Sequence, residues 1–321
     1  SDAAVIRLRE QNEKNKNKEF SGVAASVDCN SRWVSLDPYR GTIAAVAESA
    51  RNVSCVGAEP VAITNNLNFS SPETEIGYWQ LFSSCNGISE ACKVLETPVT
   101  GGNVSLYNES KNKDNEITPI NPTPVIGMVG KLKNVEKAIS SGWKNTDDQI
   151  WLIGSHKSET TIAASSYLEY FHGEITGRPP KLDLLDEKFC QNFLRNAISN
   201  SFVVSSHDVS DGGLAIALAE CCILSEKGVT IELFENLKRD DNLLFAEGGS
   251  RIIFSIDKFK DKEWLNYLKK IQINSQSSVY VKKIGYVSGE TLNITIQDKN
   301  ICNIRVEELT EKFNNSISTH F

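Results

Sequence analysis

Between residues 60 and 107 the chain switches between two repeat patterns, and that switch limits its possible folds more than any other feature. PVAITNNLNF (60–69) reads as a strand. SSPETEIGYWQLFSSCNGISEACKVL opens with Ser71, puts Pro72 at the first helical position and carries acids in the first turn, so a helix is predicted from there to about Leu95. TPVTGGNVSLY (97–107) then reads as a strand, a glycine break and a continuation. Flanking segments repeat the alternation. GVAASVD (22–28) has the small/apolar pattern of a half-buried strand, and TPVIGMVGKL (123–132) reads as a buried one. From Gly41 to Gly57, Ile43, Val46, Ala47, Ala50, Val53 and Ser54 share a helical face, and Pro60 follows as a stop signal.

Residues 133–148 read as a short helix and a polar turn, which places a domain boundary there: 1–148 and 149–321. QIWLIGS (149–155) starts a second α/β unit. Helices are expected at 159–171, 186–200, 212–226, 259–272 and 306–317, and strands at 203–206, 229–233, 251–256, 279–287 and 291–297. The alternation is loose, so the fold class is α/β with mixed sheets and helices on one side, rather than a regular parallel barrel.

A chain of 321 residues that is 40% hydrophobic and 23% charged has the composition of a globular protein large enough for two domains. No apolar run approaches the roughly 20 residues of a membrane span, which reads as a soluble protein. The first residues lack a signal-peptide core and start in a strand without methionine, as a piece of a longer chain would. A formal charge of −7 argues against a nucleic-acid partner, and the basic stretch Asn12–Lys18 reads as a solvated loop. The eight cysteines form no C-x-x-C pair and suit no zinc site; with no secretion signal they point to a reducing cytoplasm.

Five constellations could do chemistry. At Gly101-Gly102-Asn103-x-Ser105 a backbone without Cβ atoms can approach a phosphate. Asn103 offers a hard oxygen to Mg²⁺, and Ser105 a hydroxyl to a substrate. A glycine bulge with exposed Asn and Ser is the competing account. Asp28 and Asp37, in DCNSR and LDPYRG, are acids near a helix start and could hold Mg²⁺, although turn chemistry explains them equally. Asn65, Asn66 and Asn68 crowd a strand end, where α/β proteins bind ligands. In HDVSDGGL, Asp211 suits a helix N-cap, and His207 is either structural or catalytic. FAEGGSR (245–251) is a ligand loop or a glycine turn.

Taken in order, DCNSR…LDPYRG, AESARNV…GAEPVAITNNLNF, TPVTGGNVSLYNE and HDVSDGGLA resemble the C-terminal half of the phosphoribosylformylglycinamidine synthase large (synthetase) subunit, from about Asp2 to about Val287. The resemblance implies the aminoimidazole ribonucleotide synthetase-like fold: an N-terminal-type ATP/Mg-binding domain followed by a C-terminal-type domain, forming the second of two tandem pairs. It implies ATP-dependent amidation of formylglycinamide ribonucleotide, with ATP and Mg²⁺ as cofactors. It also implies that Asn65 and Gly102 contact ATP, Asn103 binds Mg²⁺ and Ser105 contacts the ribonucleotide. The family usually has aspartate where Asn65 stands. Asp28 and Asn52 match acidic metal-ligand positions of the family's first half, Asn52 with the charge lost, and mark a pseudo-symmetric second nucleotide site that has decayed or become structural. No catalytic residue is implied here, because the family's catalytic histidine lies in the first half. The expected partners are that N-terminal half, a glutaminase subunit, a small bridging subunit and, for the isolated piece, a second copy. A complete superfamily synthetase, such as aminoimidazole ribonucleotide synthetase, and a non-catalytic nucleotide-binding scaffold are the alternatives.

Overall fold

The computed structural model describes residues 1–9, 20–234, 239–271 and 278–317. The basic stretch Asn12–Lys18 lies outside the described residues. In chain order the first half contains β1 (Ala4–Arg7), β2 (Gly22–Asp28), α1 (Ser31–Leu36), α2 (Pro38–Cys55), β3 (Glu59–Asn68), α3 (Glu75–Leu95) and β4 (Val99–Ser105). A hairpin of β5 (Glu109–Lys111) and β6 (Ile117–Pro119) follows, then β7 (Thr123–Leu132). Five of these strands form a sheet in the order β1-β2-β7-β3-β4; β3 and β4 run parallel and the other pairs antiparallel. Helix α3 is the crossover that a parallel pair requires.

The alternation in β2 and β7 sends Ala24, Ser26, Ile126 and Met128 toward α2 and α3, where Val46, Ala50, Val53 and Ile88 complete a core. The opposite face of this sheet is uncovered: Val27 is 72% exposed, Ile6 63% and Val129 39%.

Three boundaries differ from the sequence expectation. Helix α2 starts at Pro38, because the Asp37 side chain accepts from Arg40 N at 3.1 Å and caps it. Helix α3 starts at Glu75 with Thr74 as N-cap; Ser71 and Pro72 belong to the preceding turn, where the Ser71 carbonyl accepts from Thr74 Oγ1. Strand β4 runs through Gly101 and Gly102 without a break, and neither glycine has positive φ.

The second half contains β8 (Gln149–Ser155), β9 (Thr160–Thr161), α4 (Ser166–His172), α5 (Leu184–Ser199), β10 (Val203–Asp208), α6 (Gly213–Ser225), β11 (Val229–Leu233), α7 (Asp240–Phe245) and β12 (Glu247–Gly248). It continues with β13 (Ile252–Ile256), α8 (Asp261–Ile271), β14 (Val279–Val287), β15 (Thr291–Ile296), β16 (Lys299–Arg305) and α9 (Val306–Asn315). Seven strands form a mixed sheet in the order β10-β13-β8-β14-β11-β15-β16.

Here the expectation of helices on one side fails. Ile150, Leu152 and Ile253 face the core built on α6, whereas Trp151, Ile153 and Phe254 face a second core with α5 and Trp264 of α8. The continuous apolar runs QIWLIGS and IIFSI are what a strand buried on both faces requires. The expected helix at 159–171 shrinks to α4, because Thr160 and Thr161 pair with Glu247 and Gly248.

Helix α2 joins the halves. Its Arg51 is buried and pairs with Glu187 of α5 at 2.9 Å and with Asp208 of β10 at 3.4 Å.

Candidate functional site

The first group of polar residues lies on the β3–β4 pair. Asn65 stands opposite Gly102, Asn66 opposite Asn103 and Asn68 opposite Ser105. The pleat therefore separates the residues that the sequence groups together. Asn65 and Gly102 face the helix side, whereas Asn103 and Ser105 face the open side with Thr64 and Asn66.

Asn65 lines a cavity of about 640 Å³ whose walls include Cys85, Ile88, Cys92 and Val99, with Lys93 at its side. Its carboxamide has no hydrogen-bond partner among the described residues. Gly102 is required by this neighbour: a Cβ there would sit 1.9 Å from Asn65 Oδ1 and 2.4 Å from Asn65 O. Gly101 is different, since nothing lies within 4 Å of a Cβ built on it. On the open side, Asn103 Nδ2 donates to Asn66 Oδ1 at 3.2 Å, which leaves the Asn103 carbonyl oxygen free for a cation.

β4 is an edge strand, so half of its peptide groups face open space rather than a neighbouring strand. The polar residues beyond it serve the turn. Asn108 accepts from Ser105 Oγ at 3.0 Å and donates to Phe69 O and Ser105 O. Glu109 accepts from Ser71 N at 2.9 Å.

The second group lies between the halves. Asp28, at the end of β2, is pushed up to about 7 by burial and by the fields of Asp208 and Asp211. Glu48, one helical turn before Asn52, is raised well above the usual range by burial and by Asp28. Burial and Asp2 raise Asp208 to about 6, and Arg51 lowers each of these three carboxyls. Asn52 and Asp208 share a cavity of about 300 Å³. Glu48, Asp211 and Asn30 line a small adjoining hollow that also includes Ser210. Mutually repelling buried carboxyls of this kind suit a cation. Asp28 and Asn52 stand out in the sequence but Glu48 does not, since its only signal is its i, i+4 spacing to Asn52 on one helix face.

Asp2, His207 and Asp208 offer ligand atoms within 4.8 Å of one another. His207 nevertheless donates to Asp2 Oδ1 at 2.8 Å and to Glu220 Oε2 at 2.9 Å. Despite burial, these carboxylates raise it to about 10, so its imidazolium has no lone pair for a metal.

The remaining motif acids are structural. Asp37 caps α2 and pairs with Arg178 at 3.0 Å, apart from Asp28. Asp211 does not cap α6, whose N-cap is Gly212 at φ 76; it accepts instead from Asn30 and Arg32 at 3.3 Å. Glu247 of FAEGGSR is buried and accepts from Gly212 N and Ser166 N, which ties two loops together. No helix among the described residues is long and apolar enough to cross a membrane.

This arrangement has close relatives. The family described as "AIR synthase related protein, N-terminal domain" matches residues 1–132, and "AIR synthase related protein, C-terminal domain" matches 145–292. "Phosphoribosylformylglycinamidine synthase subunit PurL" of Prochlorococcus marinus strain MIT 9312 is 88% identical over all 321 residues, which cover 41% of that relative. The chain thus spans about two-fifths of the length of the curated relatives it matches. Among solved structures, "T. maritima PurL complexed with ADP" superposes with a TM-score of 0.71 at 17% identity, covering 96% of this chain and 46% of that one. "T. maritima PurL complexed with FGAR" gives 0.68 at 18%, covering 90% and 46%. At such identities the likeness is one of fold. The chain belongs to the AIR synthase related family, with that family's N-terminal domain followed by its C-terminal domain, and resembles the PurL synthetase subunit along its whole length.

Proposed function

We propose that this chain is one of the two tandem domain pairs of a phosphoribosylformylglycinamidine synthase synthetase subunit, the second pair by its motifs, and that it supplies part of the ATP, Mg²⁺ and ribonucleotide site. The observation that supports this most is the 88% identity to such a subunit over all 321 residues. In the proposed reaction the amide oxygen of formylglycinamide ribonucleotide takes the γ-phosphoryl group of ATP and ADP leaves. Ammonia released from glutamine by a separate subunit adds to the activated carbon, and phosphate departs to give the amidine. Such chemistry needs positioned donors and charge neutralisation more than a protein nucleophile.

The β3–β4 edge suits those roles. Asn65 borders the cavity, and Gly102 packs against it on the same face of the sheet; together they would bind the nucleotide. Asn103 would hold Mg²⁺ through its free carbonyl oxygen; the bound ion neutralises phosphate charge. Ser105, beside it on the open face, would hydrogen-bond the ribonucleotide. One neutral oxygen is too little to hold Mg²⁺, so the other ligands come from the remaining pair, which would cover the open face around Val27 and Val129. In the isolated chain a second copy would cover that face. Asp28 and Asn52, with Glu48 and Asp208, would hold cation and nucleotide at the pseudo-symmetric second site. Eight free thiols fit a cytoplasmic enzyme working with a glutaminase and a small bridging subunit.

The purified chain alone is expected to show no ammonia-dependent ADP release, and addition of the rest of the subunit is expected to restore it. Turnover by the chain alone would favour a complete synthetase. Failure of the reassembled subunit to turn over or to bind Mg-ATP would leave only a scaffold.

A further inference from the structure

A cavity of about 420 Å³ that shares no lining residue with those described above opens where β7 and the turn after it meet α5. Its charged lining is Lys131, Lys133, Lys137 and Arg195 against a single carboxylate, Glu59. This excess of positive charge sits on a chain whose formal charge is −7.

The cations are only partly neutralised. Lys131 pairs with Glu59 at 3.1 Å. Lys137 Nζ donates to the Ser199 carbonyl at 3.0 Å, and Lys133 has no partner among the described residues. Arg195 is the least expected member. It lies against the cavity, donates to Ser54 Oγ at 2.6 Å and to Asn192 Oδ1, and has no carboxylate within ion-pair distance among the described residues. Burial pushes it down to about 10. Only the field of Glu59, itself paired with Lys131, opposes this, and a half-buried guanidinium so weakly compensated favours an anion from outside. Asn134, Asn192 and Asn196 add carboxamide groups, and no aromatic ring is present to stack a base. The volume falls within the range of small-molecule sites.

We propose that this cavity binds a small phosphorylated anion, a sugar phosphate or diphosphate, that bridges the two domains. Arg195 and Lys133 would engage the phosphate oxygens, Arg195 through its planar fork and Lys133 as a mobile charge. Because the lining comes from both domains, occupancy would tie α5 to the end of β7 and raise the melting temperature.

The test is calorimetry on the full 321-residue chain with inorganic pyrophosphate, ribose 5-phosphate and an oligoglutamate peptide. Saturable binding of at least one phosphate compound is expected, weakened about tenfold or more in the Lys133→Ala/Lys137→Ala double variant and unchanged in Asn103→Ala. The last comparison separates this cavity from the proposed ATP edge. In the wild-type chain the same compound should protect Lys133 and Lys137 from acetylation, a readout that survives a misfolded variant. The proposal is overturned if neither phosphate compound binds, if the double variant or unprotected lysines show binding elsewhere, or if only the acidic peptide binds.

Discussion

Gly102 and Arg51 show how single residues hold this site in place. The Gly102→Ala methyl would overlap the Asn65 carboxamide and carbonyl, so the parallel β3–β4 pair must part. A loss of roughly 1–3 kcal/mol by urea denaturation is expected, together with weaker Mg-nucleotide binding by the reassembled subunit. Gly101→Ala has open space around it, so its melting temperature should match the wild type. Arg51→Met leaves Glu187 and Asp208 buried without their partner, and about 3–5 kcal/mol of stability should go with it. The glycine pair stood out in the sequence, but the reason for Gly102 did not. Its close neighbour is 37 residues away in the chain and becomes adjacent only through the β3–α3–β4 crossover. Glu48 was invisible for a similar reason: an acid among the polar positions of α2 reads as solvated until Asp28 and Asp208 are brought against it.

At the scale of elements, the end of β2, the middle of α2 and the end of β10 enclose an acidic chamber whose protons respond to folding. Asp28, Asp208 and Glu247 have folded-state values of about 7, 6 and 7, above the ordinary carboxylate range. Glu48 and Asp211 face them and are also raised, while Arg51 and Arg32 oppose the shift. Through this range the folded chain holds protons that the unfolded chain has lost, so stability falls as pH rises from the ordinary carboxylate value toward 7. His207, raised from 6.5 to about 10, acts in the same direction above neutrality: its contribution is complete below 6.5 and is lost as pH rises through 10. Without divalent cation, the melting temperature should therefore decline steadily from mildly acid to alkaline pH in differential scanning calorimetry. Added Mg²⁺ should flatten the part of that decline due to the carboxyls. A flat profile without metal would contradict the chamber's electrostatics. Most of the elements involved were legible as periodic runs. Helix starts were misplaced where two capping signals competed, as Ser71 and Thr74 did, because only tertiary contact decides between them. Two-sided burial of the second sheet was written in QIWLIGS and IIFSI, although loose alternation pointed to one covered face.

For the whole molecule, two α/β units are joined through α2 and α5, with one sheet face left open and a polar edge strand beside it. That combination fits the proposal that the chain supplies one part of a synthetase site and turns over only with the rest of a subunit. The most direct test is ammonia-dependent ADP release by the reassembled subunit, with and without Asn103→Ala. If the edge strand holds the cation of the reacting nucleotide, the variant should lose about a hundredfold or more of turnover while its melting curve stays unchanged. Wild-type turnover by that variant would contradict the placement of the reaction at this edge.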